Sequence, residues 1–380
     1  MSPTDGADVA LIGHQESWDQ ISRMVHHLRA PHRPRLDLEA LRATVPWVPP
    51  RAIVPLRIRS TLDGRSVAGT YVETFLTPDE LGAGGPGLRR TVRKVDEAIG
   101  AAARCGARIA ALGGFTSILV ERRGDRVPRP SGMALTTGNT LTAALIIEGV
   151  ERAAAMRRIP LGHATLLILG ATGDIGSACA RHFAPRVGRL VLVARRADRL
   201  VAFAQALRRA GADARTATDA AVALGEADVV IAVASLAEPS LDLSACRPGA
   251  LVCDAGYPKN VRAVPEGGAT VFHGGMGRVL GGWESGSTLL EQFYAFPAPA
   301  VAHGCLLEGV VLAMERRFEP FSESRGNITP ERMAEIRSLA RRHGIVLAPF
   351  FDQSGLWPGQ RADAGGLETT GRARPAEPVG

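Results

Sequence analysis

The sequence predicts an α/β protein: a parallel sheet covered by helices on both faces, with a second α/β unit ahead of it and helices behind. Three observations predict this. From Thr165 the chain alternates short apolar runs with helix-like ones, the rhythm of a parallel sheet. A glycine-rich turn, Gly170 to Gly176, joins the first apolar run, LLILG, to a helix start. Far ahead of it, IVPLRIRSTLDGRSVAGTYVETF alternates apolar and polar residues on both sides of Asp63-Gly64, which signals a hairpin.

Each element follows in order. Residues 15–30 and 37–44 are predicted helices, and the hairpin comes next. Residues 87–105 form a helix closed by Gly106, a residue type suited to a helix C-terminus. Arg108–Val120, RIAALGGFTSILV, is apolar and β-compatible, broken by two glycines. A long helix spans Asn139–Arg157. Then come strand LLILG, helix Asp174–Phe183, strand RLVLVARR, helix Asp198–Ala210, and strands near 213–217, 228–234 and 250–254. A helix follows Pro297-Ala-Pro299 and runs to Phe318, and another runs Glu331–His343. From Asp352 the chain is Gly-, Pro- and polar-rich without periodicity, and the segment 352–380 is expected to be disordered.

Gly170, Gly173 and Gly176 have a role each: a tight turn, backbone approach to a pyrophosphate, and close packing of helix on strand. The helix N-terminus then binds phosphate. The turn is therefore read as the dinucleotide loop of a Rossmann-like domain, with Gly170, Thr172, Gly173, Asp174, Ile175 and Gly176 against the cofactor. The same reading places Ala234, Ser235, Gly256, Tyr257 and Pro258, which follow later strands, at that cofactor. NAD sites favour an acid after the second strand, whereas this chain has Ala194, Arg195 and Arg196. Arginines there suit a 2′-phosphate, so the expected cofactor is NADPH.

None of the three tyrosines, Tyr71, Tyr257 and Tyr294, has a lysine four residues on, which argues against Tyr-Lys reductase chemistry. Of five cysteines, Cys305 begins a helix after PAPAVAHG, where a thiolate is stabilised. His303 is close in sequence, but residues two apart on a helix do not face each other. From the residues alone Cys305 is either a nucleophile or a buried helix thiol. No Cys/His cluster has zinc spacing, and no metal site is expected.

Taken together, LIGH (Leu11–His14), GTYVETF (Gly69–Phe75), RKV (Arg93–Val95), ALGGFTSI (Ala111–Ile118), TTGNTLTA (Thr136–Ala143), GATGDIGSA (Gly170–Ala178), GYPKN (Gly256–Asn260) and NIT (Asn327–Thr329) resemble a known family. It is the long-chain fatty acyl-ACP reductases of cyanobacterial alkane synthesis, which make fatty aldehydes with NADPH. The resemblance runs from about Leu11 to about Phe350 and takes in both lysines, Lys94 and Lys259. It places Cys305 where the family carries its acylated cysteine. It implies an acyl-enzyme formed from an acyl-ACP or acyl-CoA thioester, reduced to a fatty aldehyde that a downstream enzyme consumes. Ser117, Thr116 and Asn139 are the candidate oxyanion donors, or else caps of helices and turns. The implied organisation is an acyl-substrate domain over 1–135, an NADPH-binding domain over 136–296 and a helical segment with Cys305 over 297–351. The low-charge segments 108–120 and 141–147 line an acyl tunnel or form plain core. Between Gly274 and Ala298 the chain departs from the family pattern and lacks a histidine expected there.

Two other readings compete: a shikimate-type dehydrogenase of a small hydroxy or keto acid, suggested by TTGNT, and a non-catalytic NADPH-binding protein. Composition narrows the class further. The net charge is +7, with basic residues that are nearly all arginine, and it tolerates an acidic partner such as a carrier protein. GLRRTVRKV (Gly87–Val95) is the densest basic run, either a solvated face or a docking patch. Aromatics are 5% and do not interleave with the basic residues, which excludes a nucleic-acid-binding pattern. No apolar run reaches a membrane span, no leader is read at the N-terminus, and an odd cysteine count suits a reducing cytoplasm.

Overall fold

The computed structural model describes residues 6–29, 33–81, 86–218, 220–235, 241–264, 267–286, 288–323 and 326–362. The chain opens with β1 (Val9–Gly13), α1 (Trp18–Leu28), α2 (Leu38–Thr44), β2 (Arg51–Arg59), β3 (Ser66–Glu73), α3 (Pro78–Leu81) and α4 (Pro86–Arg104). It continues through β4 (Ile109–Leu112), α5 (Phe115–Arg123), β5 (Ala134–Thr136) and α6 (Asn139–Met156). The second half holds β6 (Thr165–Leu169), α7 (Asp174–Phe183), β7 (Arg189–Val193), α8 (Ala197–Arg209), β8 (Ala214–Ala217), α9 (Ala220–Glu226) and β9 (Val229–Ala232). There follow β10 (Leu241–Asp242), β11 (Leu251–Asp254), β12 (Val261–Ala263), β13 (Thr270–His273), β14 (Met276–Val279), β15 (Trp283–Glu284) and α10 (Leu289–Tyr294). The last elements are β16 (Val301–His303), α11 (Gly304–Met314), α12 (Pro330–Arg342), β17 (Ile345–Leu347), β18 (Phe351–Asp352) and β19 (Gly355–Leu356).

Two six-stranded sheets organise these elements. The second has the order β13-β11-β9-β6-β7-β8, all parallel. That is the dinucleotide-binding arrangement, with its crevice where β6 and β9 part. The first has the order β15-β2-β3-β1-β4-β5, antiparallel at the hairpin edge and parallel from β3 to β5. β1 is buried along its whole length because strands flank it and helices cover it. β2 alternates, with Val54, Leu56 and Ile58 inward and Arg51, Arg57 and Arg59 outward. Local signals set the helix ends: Ser17, Asp37 and Thr329 accept backbone N–H bonds at the starts of α1, α2 and α12.

Helices α6 and α11 lie between the sheets. α11 packs on β1, β3 and β4, and α6 packs on α7 and β11, with the two helices against each other. Both are buried nearly all round, so neither shows a one-sided apolar stripe.

The structure departs from the sequence reading in four places. Arg108–Val120 is not one β-compatible segment: β4 ends at Leu112 and α5 begins at Phe115. Gly114 makes the turn with a φ of +55°, and the Thr116 and Ser117 hydroxyls bond back to the carbonyls of Gly113 and Gly114. The helix expected after Pro299 starts only at Gly304, because Val301–His303 pairs with β14. The segment 136–296 is not confined to the second sheet, since β15 pairs with β2. Residues 352–362 are structured: β18 and β19 form a hairpin and Trp357 is buried behind it. The remainder of the predicted tail lies outside the described residues.

Candidate active site

One cavity of about 890 Å³ opens between the sheets. At one end it is built by the β6–α7 turn. Gly170 has a φ of +91°, and a Cβ there would stand 2.8 Å from the Val233 carbonyl. A Cβ on Gly176 would lie 2.3 Å from the Gly170 carbonyl, so only glycine lets α7 come this close. Thr172, Gly173, Asp174 and Ile175 complete this wall, with Ala234 and Ser235 from the end of β9. Beyond β7, Arg195, Arg196 and Arg199 line the cavity. Arg196 is held by Asp198 at 2.7 Å, and that pairing pulls the Asp198 carboxyl down to about 2.

The other end is assembled from five separate turns: Gly13-His14 after β1, Gly113-Gly114 after β4, Asn139 at the start of α6, Gly256-Tyr257 after β11, and His303 with Cys305 at the β16–α11 junction. Cys305 is the second residue of α11. Burial pushes its thiol up, while the backbone N–H groups of Gly114, Leu306 and Cys305 itself oppose that by favouring the thiolate. Of the other thiols, Cys105 is partly exposed like Cys305 but lies outside the cavity lining. Cys179, Cys246 and Cys253 are buried, and burial raises Cys179 to about 12.

His14 is fixed in one tautomer. Its Nε2 accepts the Phe115 N–H at 2.9 Å, which leaves the ring hydrogen on Nδ1, facing the Gln15 carbonyl at 3.1 Å. Burial lowers it to about 4. Tyr257 donates to the His14 carbonyl at 3.0 Å. Tyr294 and Tyr71 share a hydroxyl bond at 3.0 Å, and Tyr71 reaches the buried Glu73, whose carboxyl burial raises to about 7. Lys94 of the RKV motif is not part of a surface patch: it is buried and bonds to the Phe75 carbonyl and Glu80. Lys259 faces the Asp254 carbonyl at 3.5 Å.

Every residue assigned to cofactor or chemistry from the sequence lines this cavity except Pro258 and Thr116. Thr116 spends its hydroxyl on helix α5. Ser117 also donates to a carbonyl, Gly114, at 2.8 Å. The Asn139 amide donates to Glu121 and Asp174. Of the segment 141–147, Thr142 lines the cavity and the apolar residues sit in the core. Sequence reasoning did not place His14, Gly114 and Tyr294 at the site, because residues so far apart in the chain meet only through the two-sheet fold; it set His303 aside by placing it on one helix with Cys305, whereas His303 ends strand β16. Among the described residues no group of three or more His, Cys, Asp or Glu side chains can hold a metal ion, and no helix is long and apolar enough to cross a membrane.

Compared with known proteins, the chain is 31% identical over 345 residues to the long-chain acyl-[acyl-carrier-protein] reductase of Synechococcus elongatus, covering 88% of this chain and 97% of that one. This chain belongs to the long-chain acyl-[acyl-carrier-protein] reductase family. It is therefore an oxidoreductase, and its parallel sheet is the NAD(P)-binding part of the reductase. The reductase is also 26% identical over 302 residues to aminotransferase PigE of a Serratia species, spanning 76% of this chain and a third, 33%, of that longer protein. Among solved structures, glutamyl-tRNA reductase from Methanopyrus kandleri is 17% identical, covers 67% of this chain and 57% of its own, and has a TM-score of 0.29. L-Tryptophan dehydrogenase from Nostoc punctiforme is 9% identical, covers 89% and 81%, and has a TM-score of 0.35. No protein-family model matches the chain.

Proposed function

We propose that this reductase converts a long-chain acyl thioester, carried by acyl carrier protein in preference to CoA, into a fatty aldehyde through an acyl-enzyme on Cys305. The observation that carries this reading is the shared cavity. Cys305, whose thiol burial pushes up and three backbone N–H groups draw back toward the thiolate, opens into the same space as the Gly170–Gly176 turn. A cysteine thiolate at a helix N-terminus adds to a thioester carbonyl and expels the carrier thiol. The residues beyond β7 fit NADPH: Arg195 and Arg199 are cations with no carboxylate in an NAD-type position before them. Bound there, NADPH supplies the hydride that reduces the acyl carbon to aldehyde.

The chain's own residues hold and shield the acyl group. Ile118 and Leu306 give the Cys305 end apolar surface, and the first sheet with its helices forms the acyl-substrate part. The net charge of +7 suits an acidic carrier. The aldehyde then passes to an aldehyde-consuming enzyme. The dehydrogenase alternative needs Asn139 free for a small substrate, and its amide is already bound to Glu121 and Asp174.

The test is intact-protein mass spectrometry after mixing with palmitoyl-ACP. One added acyl group, absent in Cys305→Ala and discharged as aldehyde on adding NADPH, is the expected result. No adduct from ACP or CoA donors overturns the reading.

A further inference from the structure

The cavity wall around Cys305 carries many polar side chains, and almost all are already engaged. The hydroxyls of Ser117 and Thr142 donate to the carbonyls of Gly114 and Gly138, at 2.8 and 2.9 Å. Both amide hydrogens of Asn139 go to carboxylates. Tyr257 donates to the His14 carbonyl, Tyr294 is bonded to Tyr71, and His14 uses both ring nitrogens.

His303 is the exception. It lines the cavity two residues before Cys305, and among the described residues its imidazole has no hydrogen-bond partner. It is nevertheless held in place. The rings of Tyr257, Tyr294 and Phe296 stand 4.7, 5.6 and 5.5 Å from it, each edge to face. Its backbone is extended, φ −66° and ψ 139°, at the point where strand β16 turns into α11. The expectation that His303 and Cys305 face apart assumed that both lie on one helix. They do not, and the strand-to-helix turn brings both into the same cavity. A buried neutral imidazole has one N–H to give, and an oxyanion needs such a donor, fixed beforehand and without a competing partner.

We propose that His303 is an oxyanion donor for acyl transfer: its ring N–H bonds to the thioester carbonyl oxygen as Cys305 Sγ adds to the carbonyl carbon. The proposal rests on the acyl-enzyme reading above. In the step, the Cys305 thiol gives its proton to solvent and a new C–S bond forms. The carbonyl π pair moves onto oxygen, where the His303 N–H meets it without transferring a proton. The pair then returns, the carbon–sulfur bond to the carrier breaks, and the carrier thiolate takes a proton from solvent. Nothing is oxidised or reduced. Burial, with the neighbouring Lys259 and His14 charges, lowers the imidazole to about 3, so it works as a neutral donor rather than as an acid or base.

The test uses the full-length protein and palmitoyl-ACP without NADPH, comparing wild type, His303→Phe and His303→Gln. Two rates are read: acyl-adduct formation by intact mass, and alkylation of Cys305 by iodoacetamide. Loss of one oxyanion donor slows acylation by about 10²-fold or more in His303→Phe, while alkylation, which builds no oxyanion, changes less than about threefold. His303→Gln, which keeps an N–H, recovers a substantial part. Equal acylation in His303→Phe and wild type overturns the proposal. So does a parallel fall in both rates, which would place His303 on the thiol, or a Gln variant as slow as Phe. An absent adduct in wild type would instead remove the acyl-enzyme reading and this inference with it.

Discussion

Gly138 lies directly against the backbone of Cys305. A Cβ on Gly138 would stand 2.1 Å from the Cys305 carbonyl oxygen and 2.2 Å from its Cα, and Gly138 has a φ of +69°. The starts of α6 and α11 are thus pressed together with no side chain between them. The buried Glu308, one turn after Cys305, locks the contact by accepting from the Leu141 N–H at 2.9 Å, the Ser322 hydroxyl at 3.0 Å and the Thr136 hydroxyl.

Gly138→Ala therefore strains the site twice, through the backbone conformation and through a collision with backbone that cannot swing away. The left-handed conformation alone costs an alanine about 1–2 kcal/mol, and the collision adds to it. We expect urea unfolding to show a loss of at least about 2 kcal/mol, together with altered iodoacetamide reactivity of Cys305. A variant as stable as wild type, with unchanged thiol reactivity, would show that the two helix starts separate easily.

The arginines beyond β7 are not equivalent. All three line the cavity, but Arg196 is already engaged by Asp198. Replacing both Arg195 and Arg199 with alanine is expected to weaken NADPH binding about 10- to 100-fold, the effect of losing charge-assisted bonds to a phosphate. NADH binding should change less than about threefold, and Arg196→Ala alone should do little. Cofactor binding followed by fluorescence checks this. Equal losses for NADPH and NADH would mean that these arginines do not read the 2′-phosphate.

His14 makes stability depend on pH with a definite sign. It is 1% exposed, its Nε2 is occupied by the Phe115 N–H, and burial lowers it from 6.5 to about 4. Between those values the unfolded chain takes up a proton that the folded chain refuses. The contribution of His14 is complete above pH 6.5 and is lost as pH falls toward 4, about 1.4 kcal/mol per unit and about 3 kcal/mol in all. Glu73 works the other way: its carboxyl, raised to about 7, is protonated first in the folded chain, so acid relieves it. The measurement is therefore a difference. Urea unfolding of His14→Gln should lose about 2 kcal/mol less than wild type on going from pH 6.5 to 4.5. Identical losses would mean that His14 takes up its proton without cost.

Much of the second sheet is legible in the sequence, because its strands are short apolar runs alternating with helix patterns, and the first turn carries its glycines. The α7 helix, Asp174–Phe183, was read to the residue. What stayed hidden depends on distant parts of the chain. β15 and β16 have two and three residues and form only because β2 and β14 offer them an edge. Phe115–Arg123 looks β-compatible through Ile118, Leu119 and Val120, yet it is helical because Gly114 turns the chain and its first hydroxyls cap inward. At the candidate site, the glycine turn and Cys305 could be found from local pattern and resemblance. His14 and His303, 289 residues apart by number, share one cavity only once both sheets are folded.

The chain beyond Asp352 gives the last prediction. Trp357 is 8% exposed, its indole N–H donates to the Val271 carbonyl at 2.6 Å, and its ring packs 5.0 Å from Phe350 and 5.8 Å from Phe272. The hairpin of β18 and β19 thus seats a large aromatic residue over β13, at the edge of the dinucleotide-binding sheet. Because a tryptophan buries so much surface, removing it leaves a cavity and an exposed phenylalanine face. Trp357→Ala should cost about 3 kcal/mol or more, and Trp357→Phe, which keeps the packing and loses the hydrogen bond, clearly less. Urea unfolding of the three proteins decides it. If Trp357→Ala falls within about 0.5 kcal/mol of wild type, the magnitude of an ordinary surface substitution, this segment merely rests on the sheet and adds nothing to its stability.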